Sequence, residues 1–233
     1  MKKQKQFRTI GILGGMGPEA SIDLYQRIIK LSQEKYNAIQ DTDYPPIIIN
    51  SIGLDGFDET GITDLEKVKN QLINEALILE KAGADFIVMP CNTTHVFHEE
   101  IQGKLKIPFL NLVEKTANRV SEKFVGILSS ESTKTFGLYK NPIIRSGKRV
   151  LETTDQEQSK INQAVASAMS GKDIDMQKKV ISSILNRMIS DGAKSIILGC
   201  TEIPLIIKQQ DTPHLIYDTS QILAEETLSF SRL

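Results

Sequence analysis

"KAGADFIVMPCNT" (81–93) and "SDGAKSIILGCTE" (190–202) follow one plan. Each runs from a helix end through Gly-Ala and a short polar link into an apolar, strand-forming run. Each then delivers a cysteine followed by small polar or acidic residues. The cysteine stands 8 residues beyond the glycine in both, Gly83 to Cys91 and Gly192 to Cys200. Upstream, "TIGILGG" (9–15) parallels "FVGILSS" (124–130). The separations are similar, 115 residues from Gly11 to Gly126 and 109 from Cys91 to Cys200. A repeat of that length predicts two similar halves related by a pseudo-twofold, not a solenoid.

Each half alternates short β-rich runs with amphipathic helical windows, the signature of α/β architecture with parallel strands. Strands are predicted at 8–13, 46–50, 85–90, 107–112, 124–129, 149–153, 194–199 and 214–217. In window 64–82, Leu65, Val68, Leu72, Ala76 and Leu79 recur at helical spacing, and in 174–191 Met176, Val180, Ile184 and Met188 do the same. Gly83 and Gly192 stand where a helix C-terminal glycine is expected.

The 233 residues suffice for one large domain or two small ones. With 28 basic and 29 acidic side chains the net charge is −1, which gives no electrostatic case for nucleic acid or an anionic membrane. The basic start "MKKQK" is followed by "IGIL" and then glycines, too short for a signal-peptide core. No run approaches the ~20 apolar residues of a membrane span. The chain's 2 cysteines form no disulfide framework, so reduced thiols in the cytoplasm are expected.

Both cysteines fall at carboxyl ends of predicted parallel strands, where ligands bind in such sheets. Two halves facing each other would turn both thiols into one cleft. The C-x₂₋₄-C spacing of a metal site and the C-x-x-C of a redox pair are missing, and no metal is expected. What remains is a pair of acid/base groups on opposite faces of one carbon. One removes a Cα proton and the other delivers a proton from the far side. A free thiol pKa of ~8.5 is readily lowered at a helix N-terminus, and both cysteines precede predicted strand-to-helix junctions. Sulfurs in near-attack contact with opposite faces of one carbon would lie about 7 Å apart.

The neighbours suit an amino-acid carboxylate. Asn92, Thr93, Thr94 and Thr201 are candidate donors, beside the alternative that some simply cap helices. His95 is a candidate for orienting a thiol or binding substrate. Glu202 is a candidate for positioning the second thiol or holding the substrate ammonium. "GILGGMGPEAS" (11–21) is a strand, a glycine-rich turn and a Pro18 helix start, and it places Gly15 and Met16 on the same surface. Gly15, Gly17 and Ala20 also match a G-x-G-x-x-A dinucleotide fingerprint, but the next strand, ending "IIINSIG", has no acidic tip for a ribose.

Together "GILGGMGPEAS", "MPCNTTH" and "ILGCTEIP" resemble the aspartate/glutamate racemase family, most closely its cofactor-independent aspartate racemase branch. The resemblance spans nearly the whole chain. It implies two flavodoxin-like domains with the active site between them, Cys91 and Cys200 as the acid/base pair, no cofactor, a small amino-acid substrate and a homodimer. It also implies substrate contacts at Ser130 and Thr133 in "LSSESTKT", and a last helix, "DTSQILAEETLSF" (218–230), that returns to the first domain. The domains are thus expected at 1–113 plus 214–233 and at 114–213. The resemblance further implies an arginine after the second strand and a lysine in the second domain, both holding a side-chain carboxylate. Here "SIGLDGFDETGITD" (51–64) has neither Arg nor Lys and carries Asp55, Asp58 and Glu59. In "SAMSGKD" (167–173) the lysine position falls near Met169, with Lys172 three residues on. Aspartate therefore stays open as the substrate, beside a broader or non-acidic amino acid. Three other readings stay open too. One is a relative with a cysteine nucleophile, maleate-isomerase-like or decarboxylase-like. Another is a non-catalytic two-lobed carboxylate-binding module. The third is a nicotinamide-dependent oxidoreductase.

Overall fold

The computed structural model describes residues 6–58, 61–171 and 173–233. Glu59, Lys172 and the basic start lie outside the described residues. Strand β1 (Ile10–Gly14) is buried along its whole length. Helix α1 (Pro18–Tyr36) starts on a proline, whose fixed φ suits a first helical turn. Then come β2 (Ile47–Ser51), a short hairpin of β3 (Phe57–Asp58) and β4 (Gly61–Ile62), and α2 (Leu65–Lys81). Asp64 caps α2 by accepting from the Lys67 N–H. Of the expected face, Val68, Leu72, Ala76 and Leu79 are buried, whereas Leu65, at the first helical position, is 48% exposed; each larger buried side chain contributes about 1.5–3 kcal/mol. Strand β5 (Phe86–Val88), α3 (His98–Gln102) and α4 (Leu112–Arg119) complete the first half.

The second half repeats the plan with β6 (Phe124–Ser129), α5 (Glu131–Thr135), α6 (Lys140–Arg145), β7 (Arg149–Leu151), α7 (Asp155–Met169), α8 (Ile174–Ser190), β8 (Ser195–Gly199), α9 (Ile203–Ile206), β9 (Leu215–Asp218) and α10 (Thr219–Ser231). The sheet orders are β2-β1-β5 and β7-β6-β8-β9, parallel throughout. The predicted strand at 107–112 survives only as a parallel bridge between Ile87 and Phe109. That bridge occupies the place of β9, so both halves share one doubly wound order.

The two opening glycines pair with equivalent residues, Gly11 with Ile87 and Gly126 with Ile196. A Cβ at 11 would stand 2.9 Å from the Ala84 Cβ, and one at 126 would stand 2.4 Å from Ile196 Cδ1. Glycine there lets neighbouring layers approach closely. Gly83 (φ +99°) and Gly192 (φ +104°) end α2 and α8. The following N–H groups, Ala84 to Leu79 O and Ala193 to Met188 O, both span 3.1 Å, the Schellman closure.

Apolar clusters fill both faces of each sheet. Strand β9 pairs with β8, so residue 214 is not where the chain goes back to the first half. The return begins with α10, which packs Leu223, Ala224 and Leu228 against Ile10, Leu24 and Phe86. Among the described residues no helix is long and apolar enough to cross a membrane.

Candidate active site

The carboxyl ends of β5 and β8 open onto one narrow cavity of about 40 Å³ between the halves. Its wall includes Met16 and Gly17 after β1, Phe57, Asp58 and Gly61 of the hairpin, Cys91, Asn92 and Thr93 after β5, Ser130 after β6, Val165 and Met169 of α7, and Cys200, Thr201 and Glu202 after β8. Both cysteines are free and buried, 4% and 7% exposed. Each is set by the local sequence: an apolar strand buried on both faces must surface where the polar triplet begins.

The two thiols have different surroundings. Burial pushes the Cys91 thiol up to about 11, with a smaller push from the Glu202 charge. The Thr94 hydroxyl and the N–H groups of Thr94 and Thr93 act in the opposite direction. Cys200 is raised well above an ordinary thiol, first by burial, then by the Glu202 charge. Its Sγ–H donates to Glu202 Oε2 at 2.9 Å, and the Thr201 hydroxyl donates to the same oxygen at 3.1 Å. The expected lowering by helix N-termini is therefore outweighed. The turns that follow are short, Thr93–Phe97 in 3₁₀ form and the four-residue α9, and supply few N–H groups against full desolvation.

Polar bonds tie the halves together across the cavity. Thr93 Oγ1 lies 3.0 Å from both Ser130 Oγ and Thr133 Oγ1. Asn92 Nδ2 donates to Thr219 Oγ1 at 3.3 Å, and the Tyr139 hydroxyl donates to Asn92 Oδ1. Gly15 (φ +100°) tolerates no side chain, since a Cβ would fall 2.1 Å from the Ile52 carbonyl oxygen.

Thr133 and Thr94 do not reach the cavity wall. The Thr94 hydroxyl turns toward Met89 Sδ at 3.3 Å and the Cys91 carbonyl at 3.4 Å. His95 also turns away. Its Nδ1 is 2.7 Å from the Cys91 carbonyl oxygen, which places the proton on Nδ1, and its ring stacks against Phe109. Burial lowers its pKa to about 4, so it is a neutral structural histidine that braces the Cys91 turn. Phe57, Asp58, Gly61 and Val165 carry no sequence motif and reach the wall only through the fold. Met169 stands in the cavity where the resemblance places a lysine. Among the described wall residues there is no Arg, Lys or His. Among the described residues no three His, Cys, Asp or Glu side chains converge as metal ligands.

Known proteins share this chain's fold and sequence pattern. The model of the Asp/Glu/hydantoin racemase family matches residues 13–227. The broad specificity amino-acid racemase RacX of Bacillus subtilis (strain 168) is 33% identical over 222 residues, 94% of this chain and 96% of its own. The crystal structure of an aspartate racemase homologue from Pyrococcus horikoshii OT3 superposes with a TM-score of 0.80 at 28% identity, covering 95% of this chain and 98% of that one. The Picrophilus torridus aspartate racemase, at 24% identity and TM-score 0.81 over 95% of this chain and 93% of its own, shares the fold. With the family model spanning both halves and both cysteine-bearing strand ends, the chain belongs to the Asp/Glu/hydantoin racemase family, a family of isomerases.

Proposed function

We propose that this protein is a cofactor-independent amino-acid racemase that moves the Cα proton between Cys91 and Cys200. The observation that carries the reading is that the chain's 2 cysteines, at equivalent strand ends of a repeated half, line the same cavity. In each turnover one sulfur, as thiolate, accepts the Cα proton and becomes a thiol. The other sulfur gives its proton to the opposite face of the carbanion and becomes the thiolate. Negative charge developing on the substrate carboxylate meets donors at Asn92, Thr93, Ser130 and Thr201, each preorganised by a side-chain bond: Thr93 with Ser130, Asn92 with Thr219 and Tyr139, Thr201 with Glu202. Glu202 holds the proton of Cys200 in place.

The cavity wall bears on the substrate. Met16, Phe57, Val165 and Met169 are apolar, and Asp58 adds a carboxylate. A substrate side-chain carboxylate would lose its hydration there with no cation among the described wall residues, a costly burial. A broad range of non-acidic amino acids fits better, and broad specificity is named for the Bacillus relative. The reading extends to two domains meeting at this cavity, 1–113 with the returning α10 and 114–213 with β9, and to a homodimer in the cytoplasm, checked by light scattering and fractionation.

The decisive experiment is solvent deuterium incorporation at Cα by proton NMR across L- and D-amino acids, with Cys91→Ser and Cys200→Ser beside the wild type. Exchange with inversion, lost in both variants, is expected. Absence of exchange with every amino acid, from folded protein with reduced thiols, overturns the reading.

A further inference from the structure

Tyr139 belongs to no motif, yet it is the bulkiest of the wholly buried side chains. It precedes α6 and packs in the cluster of Val113, Ala117, Ile127 and Ile143. It does not line the cavity. Its ring and its hydroxyl nevertheless meet both cysteine-bearing strand ends. On one side the hydroxyl donates to Asn92 Oδ1, the residue directly after Cys91. On the other the ring lies against Gly199, the residue directly before Cys200. A Cβ at 199 would stand 3.0 Å from both Cδ2 and Cε2 of Tyr139. A second link closes the loop. Asn92 Nδ2 donates to Thr219 Oγ1 at 3.3 Å, and that hydroxyl donates to the Leu198 carbonyl at 2.8 Å. Asn92 is thus held from both of its amide ends by groups fixed to the second half.

We infer that Tyr139 is a positioning residue that sets the placement of the two thiols relative to each other. The ring is a rigid spacer against β8, and the hydroxyl fixes the turn after β5 to that spacer. The inference rests on the two-thiol reading of the site. A tyrosine that merely fills the core would need only its ring, which phenylalanine keeps. Tyr139→Phe therefore removes the link and leaves the filling.

Two-base transfer gives a readout that simple loss of stability does not move. In D2O, deuterium delivered by the far thiol appears with inversion, and deuterium returned by the near thiol appears with retention. The ratio depends on where the two sulfurs stand, not on how much protein is folded. Displacing reacting groups by a fraction of an ångström to about 1 Å lowers rates by roughly ten- to a hundredfold. In Tyr139→Phe, kcat is expected to fall in that range with KM within about twofold of wild type, and the retained, deuterated fraction is expected to rise several-fold. Thr219→Val, which cuts the same chain of bonds at its other end, should shift the ratio in the same direction. An unchanged ratio in both variants, at any rate, overturns the inference. If wild-type protein exchanges no amino acid, the racemase reading fails on its own. Tyr139 is then judged by iodoacetamide alkylation of Cys91 and Cys200, resolved by mass spectrometry at matched folded fraction. Several-fold faster labelling in Tyr139→Phe upholds the positioning role, and equal labelling overturns it.

Discussion

A thiol in water ionises near pH 8.5, whereas burial holds Cys91 to about 11. At neutral pH the substrate-free site therefore rests with its thiols protonated, and the reactive thiolate is a small fraction that grows tenfold per pH unit. Iodoacetamide labelling of Cys91 should rise with that slope between pH 8 and about 10, a unit below the value of about 11. A plateau near pH 8.5 would show an ordinary, solvated thiol. The same shift affects stability. Above the unfolded-state value the unfolded chain sheds the proton while the native thiol keeps it, so stability is full below about pH 8 and falls as pH rises toward 11. A gap of about 2.5 units corresponds to roughly 3 kcal/mol, read as a drop in melting temperature that Cys91→Ser reduces, the raised Cys200 thiol keeping a share of it. Glu202 raises Cys200 by its charge and by the bond it accepts. Glu202→Gln should therefore lower the Cys200 pKa and speed its alkylation several-fold, while slowing racemisation. Slower alkylation would contradict that electrostatic role. At this scale the sequence was readable where chemistry and repeat coincided: the cysteines, Asn92, Thr93, Thr201, Glu202, and Met16 and Gly17 of the glycine turn line the cavity, while Gly15 does not reach its wall. Thr94, Thr133 and His95 do not, because residues three or four places into a tight turn point back under it. Tyr139 and Asp58 were not readable, since a lone tyrosine or aspartate has no period and no partner until the chain folds.

The β3–β4 hairpin shows what an element adds that no single residue announces. Two paired residues per strand are too few to leave a period in the sequence, so 51–64 shows only its charges. The hairpin crosses from the first half to the second: a Cβ at Gly61 would fall 1.7 Å from Ser132 Oγ at the start of α5. Gly61 sits at φ +121° and Gly83 at φ +99°, so both need glycine's conformational freedom. Only Gly61 also meets a neighbour, since nothing lies within 4 Å of a Cβ at 83. Gly83→Ala should therefore cost about 1–2 kcal/mol of stability and leave kcat/KM unchanged. Gly61→Ala should lose more, because its Cβ also collides with Ser132, and should raise KM several-fold, because Phe57 and Asp58 on the same hairpin line the cavity. Equal KM in the two variants would mean the hairpin does not shape the site. Long amphipathic helices such as α2 and α8 were legible to within a residue or two, because twelve or more positions share one period. The segment 107–112 carries strand composition but only a single bridge, since two of its N–H groups are taken by side chains: Phe109 donates to Gln102 Oε1 at 2.7 Å and Ile107 to Glu80 Oε1 at 3.1 Å, and Leu110 donates to the Ile87 carbonyl at 3.0 Å.

At the scale of the molecule, the repeat legible in the sequence predicts two similar halves, and symmetry alone would allow them to unfold separately. Two helices work against that. Helix α4 puts Leu112 into the core beneath the first sheet and Val113 and Ala117 into the core beneath the second. Helix α10 leaves β9 of the second sheet and buries Leu223, Ala224 and Leu228 in the first half. The two helices are also joined to each other, with Arg119 reaching Glu226 at 2.7 Å and Lys115 reaching it at 3.1 Å. A half that unfolded alone would strip both helices of a core face, with a penalty comparable to the whole ~5–15 kcal/mol that keeps a domain folded. The two halves should therefore melt as one unit. Leu223→Ala in α10 and Leu185→Ala in α8 each open a cavity at a position 0–1% exposed, costing about 2–5 kcal/mol. Although they lie in different halves, both should move a single calorimetric endotherm downward by roughly 5–15 °C without splitting it. A Leu223→Ala protein that shows two endotherms, with the later one at the wild-type temperature, would mean that the halves are held together at the cleft only and that α4 and α10 do not couple them.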